Sequence, residues 1–118
     1  MKRFLVLLAA LVAFGFAPTT TTVTAAWTTI CEETVGQYKN VQFKVHNTGA
    51  NPFTDCAIQR WAGPLTTDWV TLTTWTACQT LAAGATTVLD VVGNSDEKLR
   101  VQAKSAVGTT SYCRPYGN

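Results

Sequence analysis

The stretch VQFKVH, residues 41–46, alternates strictly between apolar and polar side chains. Val41, Phe43 and Val45 share one parity, and polar or charged side chains occupy the other. Because successive side chains of a β-strand point to opposite faces, this period of two predicts a strand with one buried face. The NTGANP stretch that follows, residues 47–52, contains the Asn, Gly and Pro residues that mark a turn.

The same alternation recurs along the rest of the chain. The most regular example is LRVQAK, residues 99–104, and further strands are predicted for residues 54–61, 68–75, 86–92 and 109–113. Short strands separated by turns, without a sustained helical period, predict an all-β domain. The pattern is typical of a single antiparallel, immunoglobulin-like β-sandwich of about seven strands, with an up-and-down barrel as the alternative.

The beginning of the chain has the composition of a secretory signal peptide. Lys2 and Arg3 precede an uncharged apolar run, residues 4–17, and small or polar residues follow it. A membrane-spanning helix needs about 20 apolar residues, and this run is shorter. The sequence therefore predicts a cleaved export signal over residues 1–26, a secreted or cell-surface location and no membrane span afterwards.

We predict that cleavage follows Ala25 or Ala26, which leaves one domain over residues 27–118. A cut after Ala17 is possible but less favourable, because Pro18 would follow it. The mature domain contains seven basic and seven acidic residues, so its net charge is close to zero. A neutral domain lacks the positive field of a nucleic-acid-binding protein, and we expect no nucleic-acid partner.

All four cysteines lie in the predicted mature domain, and none belongs to a CxxC pair or a Cys/His cluster. In an exported protein, an even number of cysteines predicts disulfides rather than a zinc site. Four cysteines allow three connectivities. We favour one bond between neighbouring segments and one between the first and last strands, which pairs Cys56 with Cys78 and Cys31 with Cys113.

Two segments carry a resemblance to a known group of proteins: VQFKVHNTG, residues 41–49, and LAAGATTVLDV, residues 81–91. A strand ending in an Asn-x-Gly turn, then a Leu-x-x-Gly connection into a Val-rich strand, resembles the CARDB and DUF11-like modules of bacterial and archaeal cell surfaces. The resemblance implies an immunoglobulin-like module for adhesion or assembly, without catalytic residues. Asn and Gly in the turn are expected to adopt left-handed backbone conformations.

The residues that most suggest a binding site are Trp61, Trp69 and Trp75. Trp69 and Trp75 share one parity of their predicted strand, so a regular strand would place both on its outer face, where they suit sugar stacking or a protein interface. Alternatively, Trp75 follows a bulge and packs in the core near a disulfide. The sequence leaves both interpretations open.

We find no arrangement of residues that predicts catalysis, a metal or a cofactor. His46, the single histidine, ends a strand on its polar side and is near no nucleophile motif. Glu32 and Glu33 are adjacent, so they face opposite sides of a strand. Asn94 to Glu97 resembles a solvated turn more than a calcium loop.

The sequence therefore favours a non-enzymatic structural or adhesive module of the cell surface, whose partner is a protein, a glycan or a second copy of itself. One version is a filament subunit that adds the β-prone tract of residues 20–28 to the sheet of a neighbour. The alternative is a soluble module that uses the tryptophans to bind carbohydrate or to inhibit an enzyme.

Overall fold

The computed structural model describes residues 19–36, 38–65, 67–94 and 96–117, so residues 1–18 of the predicted signal peptide lie outside the described residues. The strands are β1 (Thr21–Val23), β2 (Thr28–Thr34), β3 (Val41–Asn47), β4 (Asp55–Trp61), β5 (Trp69–Thr74), β6 (Thr86–Val91), β7 (Lys98–Lys104) and β8 (Thr109–Gly117). One four-residue helix, α1 (Thr76–Gln79), follows β5. No helix in the described part of the chain is long and apolar enough to cross a membrane.

The strands form two antiparallel four-stranded sheets. Sheet A has the order β1-β8-β3-β6, and sheet B has the order β2-β7-β4-β5. The predicted all-β sandwich is confirmed, with eight strands rather than about seven. Its strand order is that of a jelly roll, whereas an immunoglobulin domain places strands ABED against CFG. The strand order therefore differs from the immunoglobulin-like order that was expected. Alternation shows which face of a strand is buried, but it does not show which strands are neighbours.

The core between the sheets contains the residues that alternation assigned to it. Val41, Phe43 and Val45 of β3 are almost completely buried, and so are Cys56 and Ile58 of β4. β7 contributes its alternate residues in the same way. The charged residues between them therefore point away from the core, and this positions the outer faces described below.

Both disulfides have the connectivity that the sequence favoured. Cys31–Cys113 joins β2 of sheet B to β8 of sheet A, with the Cα atoms 5.5 Å apart. Cys56–Cys78 joins β4 to α1, also with a Cα–Cα distance of 5.5 Å. The first bond therefore links the two sheets directly, and the second holds the connection after β5 against sheet B.

The side chain of Asn47 joins three segments at the end of β3. It is fully buried, and its amide nitrogen donates hydrogen bonds to the carbonyl oxygens of Asn51 (2.8 Å) and Leu81 (3.1 Å). Its amide oxygen accepts bonds from the Gly49 backbone N–H (3.2 Å) and the Thr109 hydroxyl (2.8 Å). The two segments that carry the resemblance to surface modules therefore meet at Asn47.

The expected left-handed backbone at the Asn-x-Gly turn is not observed. No non-glycine residue in the described part of the chain has a positive φ, and the positive-φ glycines do not include Gly49. A Cβ at Gly49 would lie 2.6 Å from the Thr110 nitrogen, so close approach of β8 excludes a side chain there. Gly84, in the Leu-x-x-Gly connection, has φ +77° and does require glycine.

The first strand lies inside the segment that the sequence assigned to the signal peptide. Thr21, Thr22 and Val23 pair with Ser111, Thr110 and Thr109 of β8, respectively. Val23 has no exposed surface and belongs to the hydrophobic core. Part of the tract that was expected to reach a neighbouring subunit therefore forms the edge strand of sheet A in its own chain.

Candidate functional site

Trp61 and Trp69 lie side by side on the outer face of sheet B. They pair directly across β4 and β5. Gln59, two residues before Trp61, pairs with Arg100 on the outer face of β7, so Gln59 and Trp61 share that face. Both indoles are half-buried. The structure thus brings together two of the three tryptophans that the sequence singled out.

Trp75 is not part of this pair, which corrects the candidate set. It is 4% exposed and packs in the hydrophobic core with Cys56 and Cys78. The register of β4 against β5 shifts between Ile58 and Gln59, leaving one extra residue, Leu72, on β5. Such a bulge reverses the parity of the following residues, so Trp75 points inward although Trp69 points outward.

A cation lies over each of three indole rings at this surface. The Lys98 ammonium is 4.6 Å from the centroid of Trp61, and the Arg100 guanidinium is 4.3 Å from that of Trp69. The Lys104 ammonium is 4.5 Å from the Trp27 ring, which precedes β2. Such contacts occur roughly once per 70–80 residues in proteins, so three on one sheet are a concentration. We call these six residues the cation–tryptophan face: Trp27, Trp61, Trp69, Lys98, Arg100 and Lys104.

The Trp61 ring is held by the loop that follows β4. Its Nε1 donates a hydrogen bond to the Leu65 carbonyl oxygen at 2.8 Å, and the Leu65 N–H donates to Asp68 Oδ2 at 2.9 Å. A Cβ at Gly63 would lie 3.0–3.3 Å from three atoms of the Trp61 ring. Gly63 therefore allows the loop to pack directly on the indole.

Arg100 is fixed from the opposite strand. Its Nε donates a 2.7 Å hydrogen bond to Gln59 Oε1. Partial burial lowers the pKa of the Arg100 guanidinium, and the nearby Glu32 carboxylate opposes this change. An arginine remains protonated at physiological pH. Arg100 is thus an oriented, permanently positive group in the middle of the face.

Sequence reasoning missed Trp27 and the three cations. Arg100 and Lys104 share one parity of the most regular predicted strand, residues 99–104, and Lys98 directly precedes that strand with the same parity. The sequence does not give the register of the strands, and only the pairing of β7 with β4 places Arg100 beside Gln59. Trp27 lay next to the predicted cleavage site and was not considered for a site.

A second surface lies on the outer face of sheet A. A shallow depression of about 440 Å³ is lined by residues that include Asn40, Gln42, Asp90 and Tyr116. Gln42 Nε2 donates a 2.9 Å hydrogen bond to Asp90 Oδ1. The Arg114 guanidinium lies 5.0 Å from the centroid of the Tyr116 ring. This surface contains one cation–aromatic contact, whereas the outer face of sheet B contains three.

The residues considered for catalysis or metal binding do not converge in the described part of the chain. The Ser111 hydroxyl donates to the His46 carbonyl oxygen at 3.2 Å and therefore does not meet the imidazole. Asp96 forms an ion pair with Arg60 at 3.5 Å. Among the described residues, no three His, Cys, Asp or Glu side chains are grouped to hold a metal ion.

No family model and no curated protein matches the sequence. A crystal structure of PirA is similar, with a TM-score of 0.58 at 15% identity over 85% of this chain and 92% of that chain. Chitosan-binding module 1 of a chitosanase/glucanase from Paenibacillus sp. IK-5 gives 0.49 at 16% identity, over 85% and 95% of the two chains. A structure of disulfide-linked pili, the Bacillus endospore appendages, gives 0.42 at 15% identity, over 86% and 83%. The likeness to PirA supports the fold alone, and membership of the CARDB or DUF11-like group stays a prediction.

Proposed function

We propose that the protein is an exported, non-enzymatic binding module that binds a glycan at the cation–tryptophan face. The observation that carries this proposal is the set of three indoles, each with a cation over its ring, on one outer sheet face. Indole rings provide large apolar surface with limited conformational freedom, and sugar rings pack against such surfaces. Lysine and arginine donors beside them supply hydrogen bonds to ring substituents.

The position of the face also supports a binding role. The buried side chains of β4 and β7 already fill the core, so the outer residues are not needed there. Trp27 is 42% exposed although it is large and apolar. Exposed aromatic groups held beside fixed polar groups are typical of recognition surfaces.

The test is binding of the secreted protein to a polysaccharide panel, measured by affinity electrophoresis and tryptophan fluorescence. Trp61→Ala with Trp69→Ala is expected to weaken binding at least tenfold, since aromatic anchors carry much of the affinity in such sites. Tyr116→Ala is the control, because it removes an exposed aromatic ring from the outer face of sheet A. Equal losses in the two variants would count against the assignment.

A filament subunit that assembles by strand addition is the second candidate, and a specific feature of β1 favours it. β1 has three residues, whereas β8 has nine, so β1 covers only one end of its neighbour. β1 lies at the edge of sheet A. A strand from a second copy has room to replace β1 and to extend along β8, because unpaired sheet edges accept strands.

Sedimentation of the mature protein tests this candidate. A filament subunit is expected to form polymers whose size increases with concentration, and Val23→Asp is expected to prevent them by burying a charge in the exchanged strand. Thr22→Asp, on the exposed side of β1, is the matched control. A protein that stays monomeric with residues 19–26 present would rule out this mode of assembly.

A further inference from the structure

The three cations of the cation–tryptophan face lie in a line along one strand. Lys98, Arg100 and Lys104 occupy three of the four outward positions of β7, and Gln102 occupies the fourth. At about 3.4 Å per residue, the line from Lys98 to Lys104 is roughly 20 Å long. A small anion cannot contact all three groups, whereas an extended chain with repeated negative groups can.

The immediate surroundings compensate these three charges only in part. The salt bridge found among residues 19–36, 38–65, 67–94 and 96–117 joins Arg60 to Asp96 and involves none of the three. Glu32 pairs with Arg100 across β2 and β7 and is exposed. Asp55 pairs with Lys104, and its Oδ1 accepts hydrogen bonds from the Cys56 N–H at 2.8 Å and from a glutamine amide at 3.3 Å. Three cations thus face two carboxylates, which leaves one positive charge in excess along this strand.

The indoles increase the ability of the cations to bind an anion. A flexible lysine or arginine loses rotamer freedom when it binds a ligand, and this loss opposes binding. A cation that already lies over an aromatic ring has lost part of that freedom. Lys98 and Arg100 are therefore held at the surface, with the remaining N–H donors available for oxygen acceptors.

From this geometry we infer that the ligand is an anionic glycan, a linear polysaccharide that carries sulfate or carboxylate groups. This inference rests on the function proposed above. Glu32, which pairs with Arg100 on the adjacent strand β2, and a net charge near zero disfavour a nucleic acid, whose phosphates are closely and evenly spaced. A glycan separates its anionic groups by uncharged rings, and these rings can pack against Trp61 and Trp69.

The experiment uses two pairs of probes that differ only in charge. Dextran is compared with dextran sulfate, and fully methyl-esterified pectin with polygalacturonate, against the full secreted protein. The charged member of each pair is expected to bind at least tenfold more tightly, and its affinity should decrease with ionic strength because salt screens exposed charges. Lys98→Gln, Arg100→Gln and Lys104→Gln should each weaken it about threefold.

The control variants carry Lys44→Gln and Arg114→Gln, which remove two cations from the outer face of sheet A. They are expected to bind dextran sulfate as the unchanged protein does. An equal loss in these variants would show that general charge, and not this face, attracts the polymer, and would overturn the inference. Tight binding of poly-glutamate or of duplex DNA would overturn it as well, since a polyanion that is not a polysaccharide would then suffice.

The outcomes separate the inference from the proposed function. Equal binding of charged and uncharged probes at every salt concentration, with loss in the Trp61→Ala, Trp69→Ala variant, would retain a glycan-binding face and reject its anionic preference. Absence of binding to any polysaccharide would reject both. Charge-dependent binding that the glutamine substitutions in β7 weaken would support both.

Discussion

Replacement of Val23 by alanine tests whether β1 belongs to the mature protein. The side chain has no exposed surface and packs in the core beside sheet A. The substitution removes two methyl groups, each worth about 0.8 kcal/mol in transfer free energy. The space left behind adds a cavity contribution, so the free energy of unfolding should decrease by about 2–3 kcal/mol. Thr22 lies on the exposed side of the same strand, and Thr22→Ala should change it by less than about 0.5 kcal/mol.

The assay is denaturant unfolding of both variants after secretion from their own leader, with the mature mass measured in parallel. The difference between them isolates the inward position, because each loses a side chain from the same three-residue strand. An equally small change in the free energy of unfolding for both variants would refute the reasoning. A measured mass that corresponds to a mature protein starting at residue 26 or 27 would explain such a result. Retention of β1 requires cleavage before Thr21, and a cut after Ala17 satisfies this requirement.

Two further predictions concern the covalent and polar links of the sandwich. Replacing Cys31 and Cys113 by alanine should destabilise the protein by about 4.5 kcal/mol, against about 3.4 kcal/mol for the Cys56 and Cys78 pair, because the sequence separations are 82 and 22 residues. Calorimetry of the two double variants checks the order, and a larger loss for the shorter loop would contradict it. Asn47→Ala should cost about 2–4 kcal/mol, because it leaves buried donors and acceptors unpaired. Asn47→Asp should cost at least as much in the same measurement, because a buried carboxylate would face the carbonyl oxygens of Asn51 and Leu81.

Alternation predicted the strands whose buried and exposed faces differ clearly. The core positions of β3 and β7 follow from sequence, because a period of two along 41–46 and 99–104 has no helical counterpart. Strand order did not follow, since a jelly roll and an immunoglobulin domain bury the same alternate residues. β1 also escaped prediction, because three residues are too few to display a period and they adjoin an apparent export signal.

The candidate site was predicted only in part, because alternation gives the face on which a side chain lies and not the pairing of the strands. Trp61 and Trp69 lie on one face because they are directly opposite each other in the pairing of β4 with β5. One extra residue in β5, Leu72, reverses the parity that follows, so Trp75 points into the core. A bulge leaves no clear mark in the alternation of side chains. The sequence shows that the three cations lie on the same side of β7. Only the register of the sheet shows that they lie beside the indoles.

The links that stabilise the fold and the residues of the cation–tryptophan face occupy different sides of sheet B. The Cys31–Cys113 bond, Asn47 and the buried residues of β4 and β7 lie between the sheets, whereas Lys98, Arg100 and Lys104 lie outside. Exposed cation–aromatic contacts are worth about 0.5–1 kcal/mol each, which is small beside a disulfide. Three such contacts amount to roughly 1.5–3 kcal/mol and lie outside the core, which is the physical reason for proposing a binding role for that face.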